Sequence, residues 1–321
     1  MIRQQGYILV TVMVALVVLA TVAARLDARV ADFRTHLGRW QQWADDQSAL
    51  ISARDQVLFV MATRQLSQAG FGGGADVLRV DGRPYRLPSG VWVSVQDARG
   101  LISVSTPDPL VMRNVLLQHG VSDKLIEPLL DKLADYTDVD NLRRLNGAEA
   151  DEYHAQKLAP PRNDWLISPY ELRLVLGWNG LSKLVARGGD LFTVSRESWI
   201  NPNTAPPEVL AALPGATPEG VKAALARRET MLFISYSDLL AATGIILPDD
   251  PVAFFPSSFY RLRLGLEHGL KAIEYHIILT PGAPTLPWQI LETRFIDRPE
   301  QAAFDGAMPP FPKPLAATAD E

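Results

Sequence analysis

Chemistry-bearing side chains concentrate in one stretch of this chain. Asp135, Asp138, Asp140 and Glu149 place four carboxylates within fifteen residues, with Asn141, Asp151 and Glu152 close by. Closely spaced hard oxygen donors suit calcium, which accepts about six to eight of them in flexible geometry. The spacing is not that of an EF-hand, which needs a D-x-D-x-D-G run and a later Glu. A solvated acidic helix end, in which Asp138 and Asp140 cap and turn the chain, explains the same residues. Residue types alone leave both accounts open.

No catalytic set accompanies these acids, so an enzyme is not expected. The five histidines, His36, His119, His154, His268 and His276, form neither HExxH nor another close ligand pair. GxSxG and Walker motifs are absent. Gly70-Phe71-Gly72-Gly73-Gly74 lacks the GKS/T or GxGxxG spacing of a phosphate loop. Absence of cysteine excludes disulfides, thiolate metal sites and thiol nucleophiles. A net charge of -5 and a pI near 5.6 speak against a general nucleic-acid binder.

The elements that must position the acids begin with a membrane segment. From Ile8 to Ala24 only Thr11 and Thr21 carry polar side-chain groups. As a helix this run spans about 26 Å, close to the hydrocarbon thickness of a bilayer. A cleaved signal peptide would end in small residues, as Thr21-Val22-Ala23-Ala24 nearly does. Instead, the pattern continues through Leu26, Val30, Phe33, Leu37 and Trp40, one helical face, and a similar face at Ile51, Leu58 and Met61 extends to about Ala69. No Pro or Gly interrupts Tyr7 to Leu37, so residues 7–69 are expected to form one long helix with its transmembrane part at 8–24. Basic residues do not orient it outward: Arg3 precedes the span, whereas Arg25, Arg29, Arg34 and Arg39 follow it.

Beyond the glycine run, Val77–Val80, Tyr85–Leu87, Val91–Val95 and Leu101–Val104 read as a small antiparallel meander, with Asp81-Gly82 and Arg99-Gly100 as turns. Thr106-Pro107-Asp108-Pro109 breaks that pattern, and helical spacing follows from Leu110. In Asn203-Thr204-Ala205-Pro206-Pro207-Glu208, Thr204 or Asn203 is expected to cap a helix that Leu213-Pro214-Gly215 stops; Thr217-Pro218-Glu219 starts another, running to about Arg228. After Pro251, strands are expected at Phe259–Leu266, Ile273–Thr280 and Gln289–Phe295. The Pro-rich segment 298–321 is expected to be disordered.

Met1 to Gly6, a short basic leader closed by Gly before a retained apolar helix, resembles the N-terminus of type IV pilins and pseudopilins. The resemblance implies a 1–6 prepilin leader cut by a prepilin peptidase between Gly6 and Tyr7, with methylation of Tyr7. Tyr7 stands where Phe is usual, and Thr11, the fifth mature position, stands where most members carry Glu. That Glu is thought to neutralise the amino terminus of a neighbouring subunit, an expensive charge in lipid. Thr11 therefore points to a subunit with none above it.

Further segments resemble the K family of minor pseudopilins of type II secretion. Asp97-Ala98-Arg99-Gly100-Leu101-Ile102-Ser103-Val104 is similar to its D-x-x-G-K-I-N-L stretch, and Asp135-Tyr136-Thr137-Asp138-Val139-Asp140 to its D-W-x-D-x-D. Gly147-Ala148-Glu149 with Tyr153, Arg162-Asn163 with Glu171-Leu172, and Ile200 to Gly215 match its remaining motifs in order. The implied fold is α+β: a type IV pilin-like fold, with a long N-terminal helix packed on an antiparallel sheet and a large inserted all-α domain. The sheet would be split into 70–106 and 251–297 around a helical insertion at 107–250. The implied function is a tip subunit initiating and capping the pseudopilus, single-pass in the inner membrane with its body in the periplasm. Its partners would be the other minor pseudopilins, types I and J, and the major pseudopilin, with structural calcium at the acids 135, 138, 140 and 149.

The segment 200–228 also resembles the helix-hairpin-helix of membrane-anchored DNA receptors, which implies an alternative function. There the hairpin reads L-P-G-I-G and its amides approach a phosphate. Ala216-Thr217 in place of I-G, followed by Pro218, crowds that approach and removes an amide donor, so a packing module without nucleic acid is expected.

Overall fold

The computed structural model describes residues 5–74, 76–197, 199–247, 251–299 and 308–312, with backbone alone at 5–7 and 251. Glu300 to Asp305 and most of the leader and tail thus lie outside the described residues. The chain divides into two compact units, Met1–Ser52 and Ala53–Glu321.

The first unit is helical throughout its described part. It belongs to α1 (Gln5–Thr63), whose apolar side chains Leu9, Val17, Phe33 and Trp40 are all exposed. The stretch from Ile8 is long and apolar enough to cross a membrane. Apolar surface of this extent has no place in water. Gly6, Tyr7 and Thr11 all lie in the helix, and Thr11 is exposed. The helix ends at Thr63 rather than near Ala69, because the chain turns there into a small sheet of β1 (Leu66–Ser67), β2 (Gly70–Phe71) and β3 (Leu78–Arg79). Gly70 has φ +139°, and a Cβ there would lie 2.1 Å from the Leu78 carbonyl oxygen. Glycine lets the two strands touch.

The second unit is built on a five-stranded antiparallel sheet. Its members are β4 (Asp81–Arg86), β5 (Val91–Asp97) and three strands from the far end of the chain. Between β5 and those strands come β6 (Ile102–Ser103), α2 (Pro109–Gln118), α3 (Asp123–Thr137), α4 (Ala150–Ala155), α5 (Ser182–Ala186), α6 (Gly188–Leu191) and β7 (Phe192–Thr193). Then follow α7 (Pro207–Ala212), α8 (Pro218–Arg227) and α9 (Tyr236–Thr243), before β8 (Phe259–Leu266), β9 (Lys271–Leu279) and β10 (Trp288–Asp297). The order is β10-β9-β8-β5-β4, so the chain leaves the sheet at Asp97 and re-enters directly beside it, Asp97 facing Tyr260.

The sheet has two unlike faces. Val93, Val95, Leu262, Leu264, Tyr275 and Ile277 are buried on one, where the Arg54 guanidinium lies 5.9 Å from the Tyr275 ring. Ala53, Val57, Val60 and Met61, spaced for one helical face, are buried as well. The opposite face is polar. The helical body has its own core, including Met112, Leu116, Tyr153, Trp178, Phe192 and Phe233.

Three local expectations change. Asp81-Gly82 lies inside β4, where an irregular register between Asp81 and Pro84 absorbs the glycine. Leu101–Val104 leaves the meander: β6 pairs in parallel with β7, from inside the helical insertion, which is thus not purely α. Part of the tail is ordered. Met308–Pro312 runs beside β4, the Arg86 N–H donating to the Pro309 carbonyl and the Phe311 N–H to that of Arg86, and Phe311 is buried edge-on to Tyr85.

Candidate metal centre

The acids sit where α3 ends and the chain loops to α4. Tyr136 and Tyr153 pack against each other across this loop, with centroids 6.1 Å apart, and the Leu176 N–H donates to the Tyr153 hydroxyl at 2.8 Å. The two helix ends are therefore held at a fixed separation while the loop between them carries the carboxylates.

The structure brings three of the four candidate ligands together. One oxygen from each of Asp138, Asp140 and Glu149 lies within 4.8 Å of the others. Asp138 Oδ1 and both Glu149 oxygens are buried without a hydrogen bond. Burial pushes the Glu149 carboxyl up to about 7, with Asp135, Asp138, Asp140 and Glu152 adding to the effect. Crowded carboxylate oxygens left without donors are what a hard divalent cation relieves, and the donor set fits calcium.

Asp135 has a different task. Fully buried, it accepts from the Arg144 backbone N–H at 3.1 Å and from Arg144 Nη1 at 2.7 Å. The same Nη1 reaches Asp138 Oδ2 at 2.6 Å, and Oδ1 is the oxygen left without a hydrogen bond. Gly147 completes the packing, because a Cβ there would fall 1.7 Å from Asp135 Oδ2. Arg144 carried no motif signal of its own and was not a candidate; its position opposite Asp135 depends on the fold of the loop. Asp140 turns that loop by accepting from the Leu142 N–H at 2.7 Å.

A second polar cluster lies where the insertion leaves and rejoins the sheet. Asp97, fully buried, accepts from the N–H and hydroxyl of Ser257, both at 2.8 Å, from the Thr204 hydroxyl at 2.8 Å, from Asn201 Nδ2 at 3.3 Å and from the Arg99 N–H at 3.1 Å. One carboxylate thus clamps both ends of the insertion. Asn203, expected with Thr204 as a helix cap, instead accepts from the Phe233 N–H and donates to its carbonyl. Gly100 allows this fit, since a Cβ would lie 2.7 Å from the Thr204 carbonyl oxygen.

These contacts involve the residues that carry the motif resemblance, and family models match the stretches that hold most of them. Two models described as type II secretion system (T2SS), protein K, match residues 94–185 and 200–252. The chain belongs to the protein K family of type II secretion systems. The family is a structural component of secretion. A solved structure titled as the GspK-GspI-GspJ complex from the enterotoxigenic Escherichia coli type 2 secretion system shares the fold: TM-score 0.56 at 19% identity, over 81% of this chain and 100% of that one. No curated protein matches the chain.

The hairpin α7–α8 is closed within this fold. The Thr217 hydroxyl caps α8 by accepting from the Gly220 N–H at 3.0 Å. A Cβ at Gly215 would lie 2.4 Å from the Gly244 carbonyl oxygen and one at Gly220 2.2 Å from that of Thr243, so the end of α9 covers the turn. Arg228 is buried and donates to the Ala205 carbonyl, and Arg227 pairs with Asp238. Arg227 and Arg228, two of the three cations on this hairpin, are thus engaged internally, while Lys222 is exposed.

Proposed function

We propose that this protein is a minor pseudopilin at the tip of a type II secretion pseudopilus, where it initiates and caps assembly. The observation that carries this function is the matching of protein K models across the body that follows one membrane-length helix. Prepilin peptidase cuts between Gly6 and Tyr7 and Tyr7 becomes methylated. The helix stays in the inner membrane and the body lies in the periplasm. Types I and J minor pseudopilins join it, as in the complex its structural relative is titled for, and the major pseudopilin extends below. Thr11 supplies no carboxylate for a subunit above.

Calcium has a structural role here. Asp138, Asp140 and Glu149 hold it, and Asp135 positions Asp138 through Arg144. The ion neutralises the crowded acids and fixes the loop between α3 and α4.

Mass spectrometry of the mature N-terminus of the native protein tests the proposal. The expected species begins with methylated Tyr7. A mature chain starting near Arg25 would mean that the apolar helix is discarded, and the assembly role would be lost.

A further inference from the structure

The polar face of the central sheet carries two rows of side chains across four strands. The first is Ser94, Arg263, Glu274 and Arg294; the second is Gln96, Arg261, His276 and Glu292. In the first row, Arg263 and Glu274 are matched. Glu274 accepts from Arg263 Nε at 2.6 Å and from the Tyr170 hydroxyl at 3.2 Å, and Arg263 Nη1 donates to Asp190 at 2.5 Å.

Arg261 is not matched in this way. Its side chain belongs to a residue more than nine-tenths buried, and neither Nε nor Nη1 makes a hydrogen bond. Two buried guanidinium nitrogens without hydrogen bonds are expensive, because their desolvation is not offset by acceptors. Burial and neighbouring Arg263 pull Arg261 down to about 10, which leaves it charged at neutral pH.

Arg261 and Arg263 line a cleft of about 900 Å³. Among the described residues, seven Arg or Lys and three Asp or Glu line it, in a protein whose net charge is -5. Apolar walls come from Trp92, Val185 and Ile296. Exposed Phe295 stands there too, on β10, the edge strand of the sheet.

We infer that this cleft binds an acidic peptide segment of a partner protein, with one side-chain carboxylate received by Arg261. A planar guanidinium fork matches a carboxylate in bidentate fashion. The acids on the wall disfavour a compact dianion such as phosphate, while the apolar walls and a volume of about 900 Å³ suit a chain in which acidic and apolar residues alternate. The inference does not depend on the secretion assignment.

The test uses the full-length protein in detergent at low ionic strength. The probe is fluorescein-labelled acetyl-Leu-Asp-Leu-Glu-Leu-amide, and the control is its Asn/Gln twin. The acidic probe is expected to bind at least about tenfold more tightly than the twin, and Arg261→Met to lose about tenfold or more of that affinity. A cooperative melting transition of the variant checks that it is folded under the assay conditions. Equal binding of the two peptides, or unchanged binding by the variant, would overturn the inference. Displacement of the probe by equimolar inorganic phosphate would reduce the cleft to a generic anion site and count against a peptide ligand.

Discussion

Glu274 is a charge stabilised by folding. Although burial raises its proton affinity, the His276 hydrogen bond and the Arg263 and Arg261 charges hold it well below the ordinary carboxylate value. A group depressed in this way contributes stability that is complete above its unfolded value and is lost as pH falls through the range below about 4. Acid unfolding of the parent should therefore steepen in that window, and Glu274→Gln should flatten it. Removal of the acceptor in Glu274→Ala should cost about 3 to 5 kcal/mol at neutral pH, measured by denaturant titration. The acid loop makes a separate prediction. Calcium at about a hundred times its dissociation constant should add about 2.7 kcal/mol to stability. Chelation should reverse the gain, and Asp140→Asn combined with Glu149→Gln should abolish it. A melting temperature indifferent to calcium in the parent would remove the ion from the function proposed above. The acids were visible in the sequence as a constellation, but their division of labour was not: only packing of Arg144 and Gly147 separates Asp135 from the other three.

At the scale of elements, the junction between sheet and insertion depends on close backbone approach. Gly100→Ala should force the Thr204 carbonyl and the Gln96 side chain away, since the new Cβ would lie 2.7 and 2.6 Å from them. A loss of about 1 to 3 kcal/mol is expected, with faster amide exchange over residues 201–204. Unchanged exchange there would mean that the clamp at Asp97 is dispensable. Strands β8, β9 and β10 were legible because apolar and polar residues alternate along them and turn residues bound them. Short pieces were harder to read. Leu101–Val104 looks like any other strand, and nothing local tells that Ile102 pairs with Phe192 and not with the meander. Likewise Asn203 and Thr204 have cap chemistry, yet Phe233 and Asp97 compete for them and win because those contacts are fully buried.

For the whole molecule, the function proposed above has position in the filament set by Thr11, by the bulk of the inserted body, or by both. Thr11→Glu should allow the protein into the filament shaft, scored by immunogold labelling along isolated pseudopili. Labels confined to tips would mean that bulk alone decides. The faces of the central sheet add a second whole-molecule feature, because one is apolar and the other charged beneath elements of the insertion such as Tyr170 and Asp190.

The sequence by itself determined the membrane-length helix, the helical insertion, the returning strands and the acid cluster. Each depends on composition or on a period read over adjacent residues. Tertiary structure alone decided which carboxylates converge, that Asp97 joins positions 160 residues apart, and that Arg261 Nε and Nη1 are buried without a hydrogen bond. Alternation puts Arg261 and Arg263 on one face of β8, but exposure and partners of that face depend on segments far along the chain.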